Sequence, residues 1–385
     1  MSLGTSLGEC FSGTFFDIDF VGHNRIQGHL SCIGGAELSR KKEKILFGAG
    51  VFGQAALAYF GHEEIFCFAD NYKHGQQIGG KQIISFEELL KIHKNYDVII
   101  TANCVVSSDL TEQCIMHDVP FHMSTDYITW NDYEINEEIL KYKNRYDGKR
   151  CFLIGNGPSL KAEDLNKLYI NKEISFGCNY IYKIFNETAW RPSYYVVSDL
   201  AFIKLDYKNF AELDIDVKFI GNPTQIMDID EDILNVLQIG NGKVHFFNKV
   251  VMHDDSNVLP FSPDPSRAVY TGGTVMYAMI QFAVYFGFSE IYLLGVDNNY
   301  VPMIDTLRRN DKVNHFYNVD ASINEQTIEI RGLASVDGSI NAKLLEYTYT
   351  IAAKYCKKHN IKIFNATRGG KLEVFRRYDF DNLFC

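Results

Sequence analysis

Cys151 to Ile154 is a run of four apolar residues that stops abruptly at Gly155-Asn156-Gly157-Pro158-Ser159, after which a helix-forming segment begins. Four apolar residues bounded by turn formers read as a strand buried on both faces. A strand that ends in two glycines and feeds a helix exposes backbone N–H groups at a positive helix end, where phosphate is the usual guest. Pro158 suits a first helical turn because it has no N–H to lose. The loop sits in mid-chain, so it is expected to open a second domain.

The pattern on either side agrees with a strand–loop–helix reading. Strands are predicted at 150–154, 174–178, 194–197, 217–220, 244–247, 291–294 and 361–364, and helices at 162–168, 274–286 and 342–359. Strands alternating with helices predict a mostly parallel sheet covered on both faces. The expected class is α/β with two Rossmann-like units, the larger over residues 150–385. A smaller unit is expected over 41–130, joined to it by a helical linker at 131–149 that includes the charged segment Tyr133 to Arg145. Residues 1–40 form a glycine-containing leader in which Phe15, Phe16, Ile18 and Phe20 permit a strand. The length of 385 residues favours two domains over one.

In the smaller unit, the apolar run Ile45 to Phe47 precedes Gly48-x-Gly50-x-x-Gly53, and a second strand, from Glu64, closes at Asp70. The three glycines and the acidic residue match the dinucleotide-binding fingerprint, with Asp70 near the ribose-binding position. Nothing obvious supplies a hydride-transfer site. NAD therefore stands beside another nucleotide or sugar, and a purely structural glycine turn is favoured over either. Ser85 with Glu88 three residues later is a capping box for a helix running to His93, and Asp97 to Ala102 reads as a further strand.

A net charge of -10 argues against a nucleic-acid grip driven by bulk charge. The 9 cysteines include no C-x-x-C pair. Cys67, Cys151 and Cys178 lie in strand-like runs, as expected of buried thiols in a reducing cytoplasm. No window approaches the roughly 18 uninterrupted apolar residues of a membrane helix. A cytoplasmic location is expected, and an oligomer is compatible with everything read so far.

In parallel sheets, ligands lie beyond the carboxyl ends of the strands. The residues there are Asn156, Asn179, Ser198-Asp199, Asn222, Asn248, Asp297 and Asn365, a nearly uniform row of Asn and Asp. Each alone is an ordinary turn or cap former. As a row they offer donors and acceptors together, suited to a nucleobase or sugar hydroxyls. Thr271-Gly272-Gly273-Thr274 opens the apolar helix 274–286 and is either an anion-holding helix start or a cap with glycines for close packing. His315 lies in a polar segment beyond Asp297. It is a candidate general base, because an unperturbed imidazole titrates near operating pH. Tyr300 is a candidate donor to a phosphate. Arg368, Lys371, Arg376 and Arg377 cluster near the end of the sequence, as solvated charge or as partners for a pyrophosphate.

Gly155 to Leu160, Gly177-Cys178-Asn179 and Tyr194 to Asp199 together resemble the pterin-diphosphokinase-like and motility-accessory-factor glycosyltransferase superfamily. The outline is also similar to bacterial sialyltransferases that use CMP-sialic acid. Thr271 to Gly273, Gly287 to Asp297 and Tyr300 continue the likeness, which covers about residues 150–370. The resemblance implies a nucleotide-sugar glycosyltransferase, with a CMP-linked donor favoured and a surface glycan or flagellin as acceptor. It implies that Asn156 and Ser159 meet donor phosphate and ribose, that Asn179 meets the nucleotide, and that Thr271 to Gly273 meet the phosphate or base side. It makes Tyr300 the stabiliser of the departing phosphate and His315 the base toward the acceptor hydroxyl. It equally implies an alternative, diphosphate transfer from ATP to a hydroxymethylpterin, with Mg²⁺ on Asp199 and Asp297. A third reading is a nucleotide-binding module without turnover.

Overall fold

The computed structural model describes residues 42–101, 104–124, 127, 129–222, 231–250, 260–299, 314–317 and 338–384. The leader and Tyr300 lie outside the described residues.

The first sheet follows from short apolar runs broken by glycine and polar turns. Its strands are β1 (Lys44–Phe47), β2 (Ile65–Ala69), β3 (Gln77–Ile78), β4 (Lys81–Ile84), β5 (Asp97–Ile100) and β6 (Phe121–Met123). They lie in the order β3-β4-β2-β1-β5-β6, and every pairing is parallel except the β3–β4 hairpin. Helices α1 (Val51–Phe60), α2 (Phe86–Ile92) and α3 (Cys104–Met116) belong to this unit. The capping box at Ser85 forms as the spacing predicts: the Ser85 hydroxyl accepts from the Glu88 N–H, and the Glu88 carboxylate accepts from the Ser85 N–H.

The second sheet contains β7 (Arg150–Ile154), β8 (Ser175–Cys178), β9 (Tyr194–Val197), β10 (Val217–Gly221), β11 (Lys243–Phe247), β14 (Glu290–Leu294), β15 (Lys362–Asn365) and β16 (Arg376–Arg377). A separate parallel pair is formed by β12 (Lys249–Val250) and β13 (Val269–Tyr270). The eight strands are all parallel, in the order β11-β10-β9-β8-β7-β14-β15-β16. The helices are α4 (Glu137–Leu140), α5 (Ala162–Ile170), α6 (Leu200–Glu212), α7 (Glu231–Ile239), α8 (Val275–Tyr285) and α9 (Gly338–Lys358).

The period of two sorts the strand residues between two cores. Cys151, Leu153, Phe176, Tyr194, Phe219 and Leu293 face α8, while Phe152, Ile154, Tyr195, Ile220, Tyr292 and Leu294 face the side of α5 and α6. Helix α8 is apolar nearly all round because it is covered twice, by β7 to β9 beneath and by α9 above. Phe282 is fully buried there, with Phe219 and Phe247 at ring-centroid distances of 4.7 and 5.2 Å.

The chain builds outward from β7 through β8, β9, β10 and β11, then returns to place β14 on the other side of β7. The strand order therefore reverses between β7 and β14, and a crevice opens beyond the carboxyl ends of these two strands. The first sheet reverses in the same way between β1 and β5.

Two expectations change. Helix α5 starts at Ala162, with Lys161 as its N-cap, so Pro158 precedes the helix instead of occupying its first turn. The segment Tyr133 to Arg145 holds one short helix, α4, and does not stand apart as a linker: Tyr133, Ile139 and Tyr142 are buried in the second core. Tyr142 stacks on Phe286 and its hydroxyl meets His245 at 3.1 Å.

Candidate active site

At the switch point of the second sheet, the loops after β7 and β14 are laced together. The N–H of Gly155 donates to the Leu294 carbonyl, and that of Gly157 to the Gly295 carbonyl, both at 2.8 Å. The contact is too close for side chains. A Cβ on Gly157 would lie 1.9 Å from the Asp297 Oδ2 and 2.7 Å from the Gly295 oxygen, and one on Gly155 would lie 2.6 Å from that same oxygen. Asp297 Oδ2 accepts from the Ser159 hydroxyl at 2.8 Å and from the Ser159 N–H at 3.3 Å. Burial pushes the Asp297 carboxyl up from its ordinary value, against the lowering effect of Ser159 and of the Arg377 charge. The Asp297 carbonyl accepts from the Lys371 N–H, and the Thr367 hydroxyl accepts from the Val296 N–H. Arg377 holds this outer loop by donating to the carbonyls of Thr367, Gly369 and Gly370.

The glycine loop thus differs from its sequence expectation. The N–H groups of Gly155, Gly157 and Ser159 are already engaged within the chain, and Pro158 has none. A carboxylate occupies the place where a free phosphate was expected.

Unpaired groups are found one step away. Asn156 donates from its amide nitrogen to the Cys178 carbonyl at 3.1 Å, and its Oδ1 is buried without a partner among the described residues. The Oδ1 atoms of Asn179, Asn298 and Asn299 share that condition. Asn179 has φ of 47°, and its carbonyl accepts from the Tyr195 hydroxyl at 2.6 Å. Asn298 also adopts a left-handed φ, 53°. This backbone conformation favours Asn over branched or bulky residues. A buried acceptor that no donor meets costs about 1–3 kcal/mol.

His315 closes one side. The Asn156 carbonyl accepts from the Phe316 N–H at 3.0 Å and also hydrogen-bonds the His315 ring. Burial, aided by the nearby Lys183 charge, pushes the imidazole down to about 4. The ring is therefore neutral at pH 7, with one nitrogen donating to Asn156 and the other left as an acceptor. It stacks on Tyr317 at 5.0 Å, and the Lys183 ammonium lies 4.7 Å from the Tyr317 ring centre and 4.9 Å from that of Tyr180. Sequence reasoning selected Asn156, Ser159, Asn179, Asp297 and His315, and the structure brings them together. It missed Asn298, Asn299 and Lys183. The only signal for the two asparagines was their place directly after a strand-end aspartate.

The rest of the strand-end row is internally satisfied. The Asn222 amide donates to Asn248 Oδ1 at 3.1 Å, and the Asn248 amide donates to the Arg267 carbonyl. Asn365 donates to the Leu372 carbonyl and accepts from the Thr367 N–H. Asp199 stands beyond β9, where its carbonyl accepts from the Ile203 N–H at the start of α6. Beside it the buried Lys249 ammonium donates to the Ser198 carbonyl at 2.9 Å. Three strand spacings separate β9 from β14, about 14 Å. Among the described residues, no three His, Cys, Asp or Glu side chains form a metal-binding group.

Two other candidates have structural accounts. Gly272 is small because a Cβ would lie 2.3 Å from Thr348 Cγ2 of α9 and 2.7 Å from the Tyr277 ring. Gly273 has φ of 70°, and Thr274 caps α8 by accepting from the Met276 N–H. The turn Thr271 to Thr274 is held from below by the buried Gln281, whose amide accepts from the Ser262 and Tyr270 N–H groups and donates to the Tyr270 and Tyr277 carbonyls. Arg368 forms a two-pronged pair with Asp164 and a second with Asp381, tying the final segment to α5.

In the first sheet, Gly53 packs against the Gly48 oxygen, where a Cβ would come within 2.0 Å, while Gly50 has nothing within 4 Å. Asp70 turns back on the loop: Oδ2 accepts from the Ala49 N–H at 2.8 Å and Oδ1 from those of Tyr72 and Lys73. The Thr101 hydroxyl lies within hydrogen-bonding distance of the Phe47 and Gly48 carbonyls. Cys67, Cys114, Cys151, Cys178 and Cys356 are buried free thiols, and burial pushes Cys67 and Cys178 up to about 12.

Residues 126–302 match the family of 6-hydroxymethylpterin diphosphokinase MptE-like proteins. This bears out the superfamily resemblance carried by the Gly155–Ser159 loop. No curated protein matches the chain. Among solved structures, a MAf glycosyltransferase from Magnetospirillum magneticum AMB-1 is similar over 89% of this chain and 58% of that one, at 12% identity and a TM-score of 0.37. The chain thus spans 58% of that structure's length, a likeness too distant to assign a function. No helix among the described residues is long and apolar enough to cross a membrane.

Proposed function

We propose that the chain is a glycosyltransferase that moves a sugar from a CMP-linked donor to an acceptor hydroxyl on a surface glycan or on flagellin. The observation that carries this reading is the group of unpaired amide oxygens at the β7/β14 switch point, next to a neutral imidazole. Unsatisfied buried polar groups in a crevice at such a point are the mark of a ligand site. Chemically, a hydroxyl oxygen of the acceptor forms a bond to the anomeric carbon while the bond from that carbon to the donor phosphate breaks. His315 takes the hydroxyl proton on its free nitrogen. Tyr300, outside the described residues, is assigned to the departing phosphate. The neutral state and fixed orientation of His315 suit the role, because the Asn156 carbonyl holds the other nitrogen as a donor.

A second reading, diphosphate transfer from ATP to a hydroxymethylpterin, is favoured by the description of the family matched over 126–302. It requires Mg²⁺. The distance between the ends of β9 and β14 argues against Asp199 and Asp297 as a shared ligand pair. A thermal-shift screen of CMP, UDP, GDP, ATP and NAD with and without Mg²⁺ separates the two, since a bound ligand raises apparent stability by RT ln(1 + [L]/Kd). The proposal expects the largest shift with CMP, independent of metal. A largest shift with ATP that disappears on chelation replaces it with the second reading.

A further inference from the structure

We infer that Arg377 is a positioning residue for the crevice between β7 and β14: it fixes the Val296–Asp297 backbone through the turn at 367–371 and touches no ligand itself. The inference rests on the reading above that this crevice receives the donor nucleotide, and it adds the part of the chain that holds the β14 side in place.

Arg377 lies on β16, the two-residue strand at the edge of the second sheet, in register with Asn365 of β15. A guanidinium carries five N–H donors in a planar fork, and here each has an acceptor. Nη1 donates to the carbonyls of Thr367 and Gly369, Nη2 to the Gly370 carbonyl at 3.0 Å and to Glu373 Oε1 at 2.6 Å, and Nε to that same oxygen at 3.0 Å. With its donors taken, Arg377 is not a partner for a pyrophosphate. Three carbonyls turned toward one point repel one another, and a cation among them offsets that repulsion.

The same turn carries the β14 loop. The Thr367 hydroxyl accepts from the Val296 N–H at 3.0 Å, and the Lys371 N–H donates to the Asp297 carbonyl at 2.7 Å. Gly370 lies so close that a Cβ there would stand 2.6 Å from the Asp297 carbonyl oxygen and 2.8 Å from its Cα. Asn365 closes the turn by accepting from the Thr367 N–H and donating to the Leu372 carbonyl. The Asp297 carboxylate in turn reaches Ser159 on the β7 side. The contacts therefore run without a break from Arg377 through the turn to Asp297 and on to Ser159, and Thr367 and Asp297 within that path are buried. A lysine in place of Arg377 keeps the charge but has three donors on a flexible stem and no planar fork. It cannot hold three carbonyls and a carboxylate at once.

The test is hydrogen–deuterium exchange and CMP titration of the full chain carrying Arg377→Lys, Thr367→Val or, as a control at the exposed neighbouring position, Arg376→Met. Arg377→Lys is expected to speed exchange about tenfold in peptides covering 366–371 and 295–299 and also, across the crevice, in 155–159, with 44–47 and 65–69 unchanged. CMP affinity falls about tenfold, the scale of one lost charge-assisted hydrogen bond. Thr367→Val, which deletes the oxygen that the Val296 N–H meets, gives the same spread to 155–159. A residue that only anchors β16 would loosen 366–378 alone. Exchange confined to that segment in both variants, or an equal effect of Arg376→Met, overturns the inference. If CMP binds Arg377→Lys as well as it binds the unaltered chain, this inference alone fails. If the unaltered chain binds no CMP, the nucleotide reading fails, and exchange at 155–159 decides the positioning role by itself.

Discussion

The protein contains two glycine-rich loops at two switch points, and they behave oppositely. In both, a carboxylate from a neighbouring strand end folds onto the loop: Asp70 from β2 accepts from Ala49, and Asp297 from β14 accepts from Ser159. In the first sheet the arrangement is closed. Asp70 takes three N–H groups, Thr101 engages the carbonyls of Phe47 and Gly48, and no buried side-chain polar atom at the loop is left without a partner among the described residues. In the second, the same kind of lacing leaves four amide oxygens unpaired beside it. A glycine-rich turn after a strand is therefore a statement about backbone proximity. Whether it also binds a ligand is decided by which polar groups remain unsatisfied once the turn has folded.

The largest expected effect that sharpens this contrast is catalytic. His315→Ala is expected to lower transfer by about 10²–10⁴-fold, the range of a lost general base, while CMP affinity measured by titration changes little. Normal transfer by that variant removes His315 from the mechanism. Next comes Asp70→Ala, which strips three N–H groups of a charged acceptor. A loss of about 3 kcal/mol in denaturant unfolding is expected, with CMP affinity unchanged. A loss of CMP binding at unchanged stability would make the first loop a binding site and break the contrast. Gly157→Ala forces a Cβ into Asp297 and should cost about 1–3 kcal/mol as overpacking. Gly50→Ala, with open space around it, should stay within about 0.5 kcal/mol.

The smallest effect is a pH dependence. The folded His315 imidazole is held down at about 4, below its ordinary 6.5, by burial and the Lys183 charge. The unfolded chain therefore binds this proton first as pH falls. The contribution to stability is complete above about 6.5 and is lost as pH drops toward 4. The acid limb of the transfer rate should accordingly fall nearer pH 4 than 6.5. A limb centred at 6.5 would mean that the ring is solvated in the working enzyme.

Much of the second sheet is legible in the sequence, because a strand buried on both faces is a short apolar run bounded by turn formers. Tyr194 to Val197 and Arg150 to Ile154 are found where the pattern places them. The start of α5 at Ala162 falls where the pattern places it, although Pro158, a conventional first-turn signal, lies ahead of the helix and Lys161 is no cap former. Helix α3 is not legible, because Cys104 to Met116 mixes polar and apolar residues without a clean stripe. The site is legible as a row of strand-end Asn and Asp. Sequence alone does not separate its members, because the distinction is pairing: Asn222 finds Asn248 and Asn365 finds Leu372, while Asn156 and Asn179 keep their oxygens unpaired. Asn298 and Asn299 escape notice for the same reason, since nothing in the residue type shows which amide is left over.

The central claim is that the crevice between β7 and β14, and not the glycine loop of the first sheet, receives the nucleotide. Hydrogen–deuterium exchange of the full chain with and without saturating CMP tests it most directly. The account predicts protection in peptides covering 155–159, 295–299 and 314–317, with 48–53 unchanged. Protection confined to 48–53, or none at either switch point, would contradict it.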